Sequence, residues 1–452
     1  MTDSAPIAAI VLAAGIGSRM KSRLHKVLHP IAGKTMIDHL LDSVDELQPA
    51  QTVVVVGKWR EQIEGALSGR DCAFAVQDEQ LGTGHAVQQA QSALEGHDGP
   101  VLLLFGDVPM VAPETMRRLV RRLEQEDDPG IVVLAFEPED MKAYGRVILG
   151  EGEQIAHMVE HKDATDEQRA CRLCNSGMMA VKGSDLFGWL AKVSNDNKAG
   201  EYYLPDIVMI AMEEGRRPVA IGANEAEVTG INSRAELAAA EAQYQRLARM
   251  DAMAAGVTLH APDTVFFSYD TDLANDVVVE PHVVFGPGVK VSEGSRIRAF
   301  SHLEGCRIGP DCEVGPYARL RPGAVLEDGA KVGNFVEMKK STLGKGAKAN
   351  HLTYLGDASV GAGANIGAGT ITCNYDGFNK SQTSIGEGAF IGSNSSLVAP
   401  VTIGAGAIVG AGSVVTKDVA PDAIGIARGD QKEFPGKAAS FRTRAKAKKE
   451  GK

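Results

Sequence analysis

Two groups of residues in this 452-residue chain have the types and spacing to do chemistry. The first lies in the N-terminal half. Ala13-Ala14-Gly15-Ile16-Gly17-Ser18-Arg19-Met20 is a small-residue loop carrying a cation. Such a loop after a strand permits close backbone approach, and its N–H groups cradle phosphate oxygens. It is neither a dinucleotide fingerprint, because Met20 stands where a third Gly is needed, nor a Walker A loop, which requires Gly-Lys-Ser/Thr. A plain strand-to-loop connection would read the same way. Asp107 ends the apolar run Leu102–Phe105 and Gly106, and Val108-Pro109 after it delays the helix that a lone Asp would otherwise cap. Gln77 and Leu81-Gly82-Thr83-Gly84-His85 offer amide and hydroxyl groups suited to a base edge, or simply a turn and a helix start. The second group, Arg321, Lys339, His351, Tyr354, Asn365, Asn374, Tyr375 and Ser393, gathers in the last third, in or beside the stretch where a regular repeat fails. A repeat that breaks its own rule marks a place to look for a site.

The elements that must position these groups follow from hydrophobic pattern. Ile7–Leu12 reads as a fully buried strand, with further strands at Thr52–Val56, Val101–Phe105 and Gly130–Phe136. Helical patterns at Met36–Leu47 and Pro113–Leu123 alternate with them. This predicts an α/β Rossmann-like domain with its ligand at the carboxyl ends of the strands. From about Val279 to Val415 an aliphatic residue recurs at hexad spacing, as in Ile308-Gly309, Val314-Gly315, Leu320, Leu326, Val332-Gly333 and Met338. A second series runs from Ile385 to Val415. A period of six fits neither helix nor hairpin; it predicts a parallel β-helix, the aliphatic side chain inward and the Gly freeing the corner from a Cβ clash. Between Met338 and Ile385 the hexads are disturbed, and Thr372–Lys380 is expected to leave the coil as a loop. Ser233 as N-cap with Glu236 three residues on predicts a helix to Gly256, placed to cover the first open edge of the coil.

Bulk properties bound the rest. The length calls for two or three domains. A net charge of −11 argues against a nucleic-acid binder, and the basic Arg442–Lys452 tail is expected to be solvated and disordered. No apolar run reaches the length of a membrane span, and Met1-Thr2-Asp3-Ser4 lacks a signal-peptide pattern. Six scattered cysteines suit a reducing, cytoplasmic setting. Cys171 and Cys174 lack the second pair that a zinc site takes, while Cys306 and Cys312, one hexad apart, are expected to stack on neighbouring strands.

Leu12-Ala13-Ala14-Gly15 with Arg19 and Lys26, Gln80–Thr83, Gly106–Pro109, Tyr144-Gly145-Arg146 and Glu160–Asp163 resemble the sugar-nucleotide pyrophosphorylases. Followed by hexapeptide repeats carrying His351–Asp357, the chain from about Pro6 to Arg428 resembles one bacterial family. Its members join an N-acetylglucosamine-1-phosphate uridylyltransferase to a glucosamine-1-phosphate acetyltransferase. The resemblance implies a nucleotidyltransferase domain over 1–232, a helical linker over 233–256, a left-handed β-helix acetyltransferase domain over 257–428 and a basic tail over 429–452.

It implies that Leu12, Ala13, Ala14, Gly15, Gln77, Gly82 and Thr83 hold the nucleotide, and that Lys26 and Arg19 act on its phosphates. Asp107 and Asn232 would hold Mg²⁺, whose preference for hard oxygen donors they suit. Gly145, Glu160, Asn175 and Asn232 match positions that hold N-acetylglucosamine 1-phosphate. His351 matches the general base of acetyl transfer, and Arg321 and Lys339 the cations on the glucosamine phosphate. Tyr354 and Asn365 match sugar contacts; Ala368, Ser393, Ala411 and Arg428 match acetyl-CoA contacts; Asn374 and Tyr375 are assigned to sugar and acetyl-CoA alike. The family also implies small-molecule substrates (UTP, sugar 1-phosphates and acetyl-CoA), a homotrimer, no membrane and no nucleic acid, and a product that supplies cell-wall peptidoglycan and lipopolysaccharide. The chain departs from the family pattern at His25 (commonly Pro), Phe105 (commonly Tyr), Cys174 and Met141–Ala143, none of which removes a proposed catalytic group. Two other readings remain: a nucleotidyltransferase whose β-helix only oligomerises, and a non-enzymatic scaffold. Arg19, Lys26, Asp107 and Asn232 speak against the scaffold, and His351 with Asn374-Tyr375 against the first.

Overall fold

A computed structural model of the chain describes residues 5–141 and 143–451. Met1–Ser4, Lys142 and Lys452, which entered the reading of the N-terminus, the sugar pocket and the tail, lie outside the described residues. The chain divides into two compact units, Met1–Leu247 and Ala248–Lys452.

In the first unit, runs of β-branched and aliphatic residues form a mostly parallel sheet. Its spatial order is Val219–Gly222, Ile131–Phe136, Cys174–Lys182, Pro100–Phe105, Ala8–Leu12, Gln51–Val56, Ala73–Val76. Cys174–Lys182 runs antiparallel to both of its neighbours in that order. The central strands are buried throughout, save for the half-buried Phe105 at the cavity edge, as a sheet covered on both faces requires. The predicted strands appear within a residue of their expected ends, and the two predicted helices at Met36–Asp45 and Pro113–Leu123. Leu12 pairs with Phe105, so the small-residue loop and Asp107 leave adjacent strands at the same carboxyl edge.

The second unit is the β-helix. Strands as short as two residues stack in parallel from Thr258–Leu259 to Ile424–Gly425. Most coils return after 17 or 18 residues, with Val279 beside Ile297 and Ile297 beside Val314, while the coil that carries the loop takes 25, Ile366 lying beside Ile391. Each coil therefore has three sides, with one inward aliphatic residue per side forming a continuous core. Three points differ from the sequence reading. First, residues one hexad apart lie on different sides of the coil, not one above the other; Cys306 precedes one side and Cys312 the next, each buried separately. Burial pushes the two thiols up, to about 12 and about 11. Second, the glycine after the inward residue is needed less for its own turn than for the coil beside it. A Cβ on Gly333 would lie 1.9 Å from the Asn350 carbonyl oxygen, and one on Gly404 2.3 Å from Pro421 N. Third, the disturbed middle does not stop winding. Met338 and Leu343, like Leu355 and Val360, are five residues apart because one corner is shortened, yet all four stay in register with their neighbours. Thr372 replaces an aliphatic residue inside the coil, and its hydroxyl accepts from Gly356 N–H at 2.8 Å. The loop begins only at Asn374, where Ser381 N–H closes back on the Asn374 carbonyl at 2.9 Å.

The helix expected from Ser233 spans Arg234–Ala254, and the division between units falls inside it. Ser233 Oγ accepts from Glu236 N–H, but the Glu236 carboxylate reaches Asn232 N–H at 2.8 Å rather than the cap residue itself. Within the second unit, Ala248 and Ala252 pack on the core of the first coils, and Arg249 donates to the Val265 carbonyl at 2.9 Å. The basic tail is a helix over Lys437–Lys449 rather than disordered chain; the expectation of solvation stands, since it buries no residue.

Candidate functional sites

In the first unit a cavity of about 370 Å³ opens at the carboxyl edge of the sheet. Leu12, Ala13, Ala14, Gly15, Lys26, Gln77, Gly82, Thr83 and Asp107 line it together with Phe105, Gln80 and Glu201. Gln80 donates to the Ala14 carbonyl at 2.9 Å and so ties the small-residue loop to the segment before Gly82. Gly82 sits at φ +123, and a Cβ there would meet the Tyr202 carbonyl oxygen at 2.5 Å; no other residue suits that position. The Gln77 amide nitrogen donates to the Gly82 carbonyl and faces His85 Nδ1, both at 3.1 Å. Thr83 Oγ1 accepts from Leu204 N–H. Arg19 is exposed on the Ser18–Met20 turn and is not among the residues lining the cavity.

Lys26 Nζ lies 2.5 Å from Asp107 Oδ2 and 3.1 Å from Asn232 Oδ1. Two hard oxygens, brought from positions far apart in sequence, thus converge on the reach of one cation, the donor set Mg²⁺ prefers. Among the described residues no group of three or more His, Cys, Asp or Glu could hold a metal. A divalent ion at Asp107 and Asn232 would take its other ligands from phosphate oxygens and water.

Gly145, Glu160 and Asn175 form a second cluster in this unit. Asn175 N–H donates to the Gly145 carbonyl at 2.9 Å, and a Cβ on Gly145 would lie 3.3 Å from Glu160 Oε1. Asn175 opens a bulge in its strand, where register with Ile131–Phe136 shifts before Met179, and its Oδ1 accepts from Gly177 N–H. The sequence reading missed the acidic company of Glu160. Burial, then Asp206 and Asp163, raise its carboxyl above the ordinary range; burial, then Asp163, push Asp206 up to about 6. Cys174 is fully buried, which raises its thiol, and Phe105 packs against Gly177.

In the second unit His351 is exposed at a corner, and its Nδ1 lies 2.8 Å from Asn334 Oδ1. An oxygen facing Nδ1 assigns that nitrogen the proton and leaves the Nε2 lone pair free. Asn334 was missed; it stands at the same corner one coil earlier, a 17-residue spacing visible only once the coil length is known. The corner continues as a ladder: Gly369 N–H donates to the His351 carbonyl, Asn394 to Ala368, Gly412 to Ser393, and the Arg428 guanidinium to Ala411. His351, Ala368, Ser393, Ala411 and Arg428 therefore stand in one column, roughly 20 Å long at the usual strand spacing.

On the adjoining side, Arg321 pairs with Glu337 at 2.7 Å, and Asn374 Nδ2 donates to Asp357 Oδ2. A bridge between Tyr375 and Lys380 turns the loop back so that Lys380 approaches Lys339. The like charges of Lys380, then Arg321, hold the Lys339 ammonium below its usual range. Lys339, Lys380 and Arg321 thus gather here, Arg321 held by Glu337 and Asp357 the carboxylate that acts on Lys339, and Lys380 was the one the sequence reading overlooked. Tyr354 and Asn365 are half-buried on neighbouring coils.

A nucleotide-sized cavity at a parallel sheet edge and a β-helix bearing an exposed histidine and a local lysine–arginine cluster define a two-site transferase architecture. Residues 9–184 match the MobA-like NTP transferase domain, and residues 305–340 and 382–417 match the bacterial transferase hexapeptide repeats. The chain is 64% identical to the bifunctional protein GlmU of Sphingopyxis alaskensis, covering 98% of each chain. It is 61% identical to that of Rhizorhabdus wittichii, covering 99% of each, and 49% identical to that of Agrobacterium fabrum, covering 98% of each. The chain belongs to the family of bifunctional GlmU proteins.

Proposed function

We propose the following division of labour between the two units. The chain is a bifunctional enzyme that makes UDP-N-acetylglucosamine. The β-helix unit transfers the acetyl group of acetyl-CoA to the amine of glucosamine 1-phosphate. His351 Nε2 takes a proton from the substrate ammonium, the amine attacks the thioester carbonyl, and the coenzyme thiol leaves. Arg321, Lys339 and Lys380 hold the sugar phosphate. Tyr354, Asn365, Asn374 and Tyr375 orient the sugar, and the column Ala368, Ser393, Ala411 and Arg428 lays out the donor.

In the first unit a phosphate oxygen of N-acetylglucosamine 1-phosphate attacks the α-phosphorus of UTP, and pyrophosphate leaves in line. This chemistry needs positioning and positive charge more than covalent help. Leu12–Gly15, Gln77, Gly82 and Thr83 seat the nucleotide; Gly145, Glu160, Asn175 and Asn232 seat the sugar. Lys26 places its ammonium on the phosphates, and Arg19 meets the leaving pyrophosphate. Mg²⁺ bound by Asp107 and Asn232 would supply charge neutralisation on the phosphate oxygens. The working form is a cytoplasmic homotrimer, and the product feeds cell-wall and lipopolysaccharide assembly.

One observation carries the acetyltransferase reading: the exposed His351, tautomer set by Asn334, heads a column built from the very residues assigned to the donor. Purified protein is assayed for thioester consumption and for pyrophosphate release. His351→Ala should abolish the first and spare the second; the opposite pattern would overturn the assignment.

A further inference from the structure

Gln62 grips the backbone on both sides of Leu24. Its Oε1 accepts from His25 N–H at 2.8 Å, and its Nε2 donates to the Arg23 carbonyl at 3.1 Å. The next residue is Lys26, whose ammonium meets Asp107 and Asn232. Gln62 stands on the helix Arg60–Ala66, anchored by the fully buried Ile63 in the same core that holds Val27 and Leu28. The grip thus runs from a fixed element to the approach of a reactive side chain.

The approach needs such a tether. Gly17 and Lys21, which flank the Ser18–Met20 turn, are both left-handed. His25 leads into the Lys26–Leu28 turn without a side-chain cap, and although its ring is wholly buried, neither ring nitrogen has a hydrogen-bond partner. Its side chain therefore supplies packing but no polar anchor; its carbonyl accepts from Leu28 N–H at 3.0 Å inside the turn, and the tether on its N–H, at the entry side, comes from Gln62. His25 holds φ −57, close to the φ a proline ring would fix without any donor, and ψ 143, in the extended region proline also adopts.

We propose that Gln62 is a positioning residue for uridylyl transfer, setting the backbone from which Lys26 reaches the phosphates. The proposal rests on the role given to Lys26, so the test separates the two. Full-length Gln62→Ala should release pyrophosphate about tenfold more slowly, in kcat rather than in KM for UTP. Acetyl transfer should be unchanged. Amide hydrogen exchange over residues 23–28 should accelerate while the strand Pro100–Phe105 stays protected. Gln62→Glu keeps the acceptor for His25 N–H but has no donor for Arg23, and should lose only part of the rate. Adding His25→Pro to Gln62→Ala should restore both rate and slow exchange, because the ring fixes what the amide held.

An unchanged rate in Gln62→Ala overturns the proposal, as does lost protection of Pro100–Phe105, which would make the residue merely structural. A Gln62→Glu variant no better than Gln62→Ala, with no recovery in the His25→Pro background, overturns it too; should the proline variant unfold, the Gln62→Glu arm decides alone. Lys26→Ala distinguishes the levels: if it retains full pyrophosphate release, the site reading itself is wrong, whereas if it is inactive while Gln62→Ala is normal, only the tether fails.

Discussion

Removing the Asn334 side chain isolates what one hydrogen bond does for the proposed acetyl-transfer base. The bond to His351 Nδ1 is 2.8 Å long and both groups sit at an exposed corner, so the ring has water as a competing partner. A neutral hydrogen bond in such a setting contributes about 0.5–1.5 kcal/mol net. At about 1.4 kcal/mol per tenfold in rate, Asn334→Ala should lower kcat for acetyl transfer roughly 2- to 12-fold. Two consequences make the test sharp. Asn334→Asp retains an acceptor for Nδ1–H and should keep more activity than Asn334→Ala. Pyrophosphate release should not change in either variant. Thioester consumption followed continuously, with pyrophosphate release on the same preparations, reads both. If Asn334→Ala and Asn334→Asp lose equally, or if neither loses, Asn334 does not set the tautomer and the placement of the free lone pair on Nε2 is unsupported.

Three further expectations follow from the electrostatics. Lys380→Ala should raise KM for glucosamine 1-phosphate while leaving KM for acetyl-CoA alone, because Lys380 crowds Lys339 where the phosphate is proposed to sit; initial-rate kinetics at two salt concentrations decide it, and a variant with unchanged KM would remove Lys380 from the site. Asp107→Asn should raise the Mg²⁺ concentration needed for half-maximal pyrophosphate release, since one of two hard oxygen ligands loses its charge; an unaltered Mg²⁺ titration would refute the assignment. His25 is held down to about 4 by burial, then by the Lys26 and His29 charges, against 6.5 in the open chain. The unfolded chain therefore binds the extra proton between those values, and stability should fall by about 1.4 kcal/mol per unit as pH drops through that window, with no contribution above 6.5. Denaturant unfolding of wild type and His25→Leu at pH 7 and pH 5 measures it, and equal losses in both would contradict the account.

How much was legible before the fold was known differs between the units. Local pattern was enough for the parallel strands, because a buried strand such as Leu102–Phe105 announces itself by composition. It was also enough for the β-helix, because inward residues recur along the chain. It misjudged the middle of the coil, where a five-residue side keeps the wall intact although the hexad count fails. The tail was misread for another reason: charge alone suggested disorder, while a run of good helix formers makes a solvated helix.

The sequence by itself determined the class of each unit, the family, and a set of reactive side chains, since these depend on residue types and short spacings. Only the tertiary structure decided which of those side chains meet. Lys26, Asp107 and Asn232 are far apart in the chain and converge because the Lys26–Leu28 turn and the Ile231-Asn232 segment, whose Ile231 N–H donates to the Asp107 carbonyl, both pack at the carboxyl end of the Pro100–Phe105 strand. Asn334 and His351 become partners because a three-sided coil returns after 17 residues, and Lys380 joins Lys339 because a loop folds back on itself. The Gln62 tether likewise exists only in three dimensions: a backbone N–H and C=O in one segment carry no sequence signal for the side chain, from another element, that holds them.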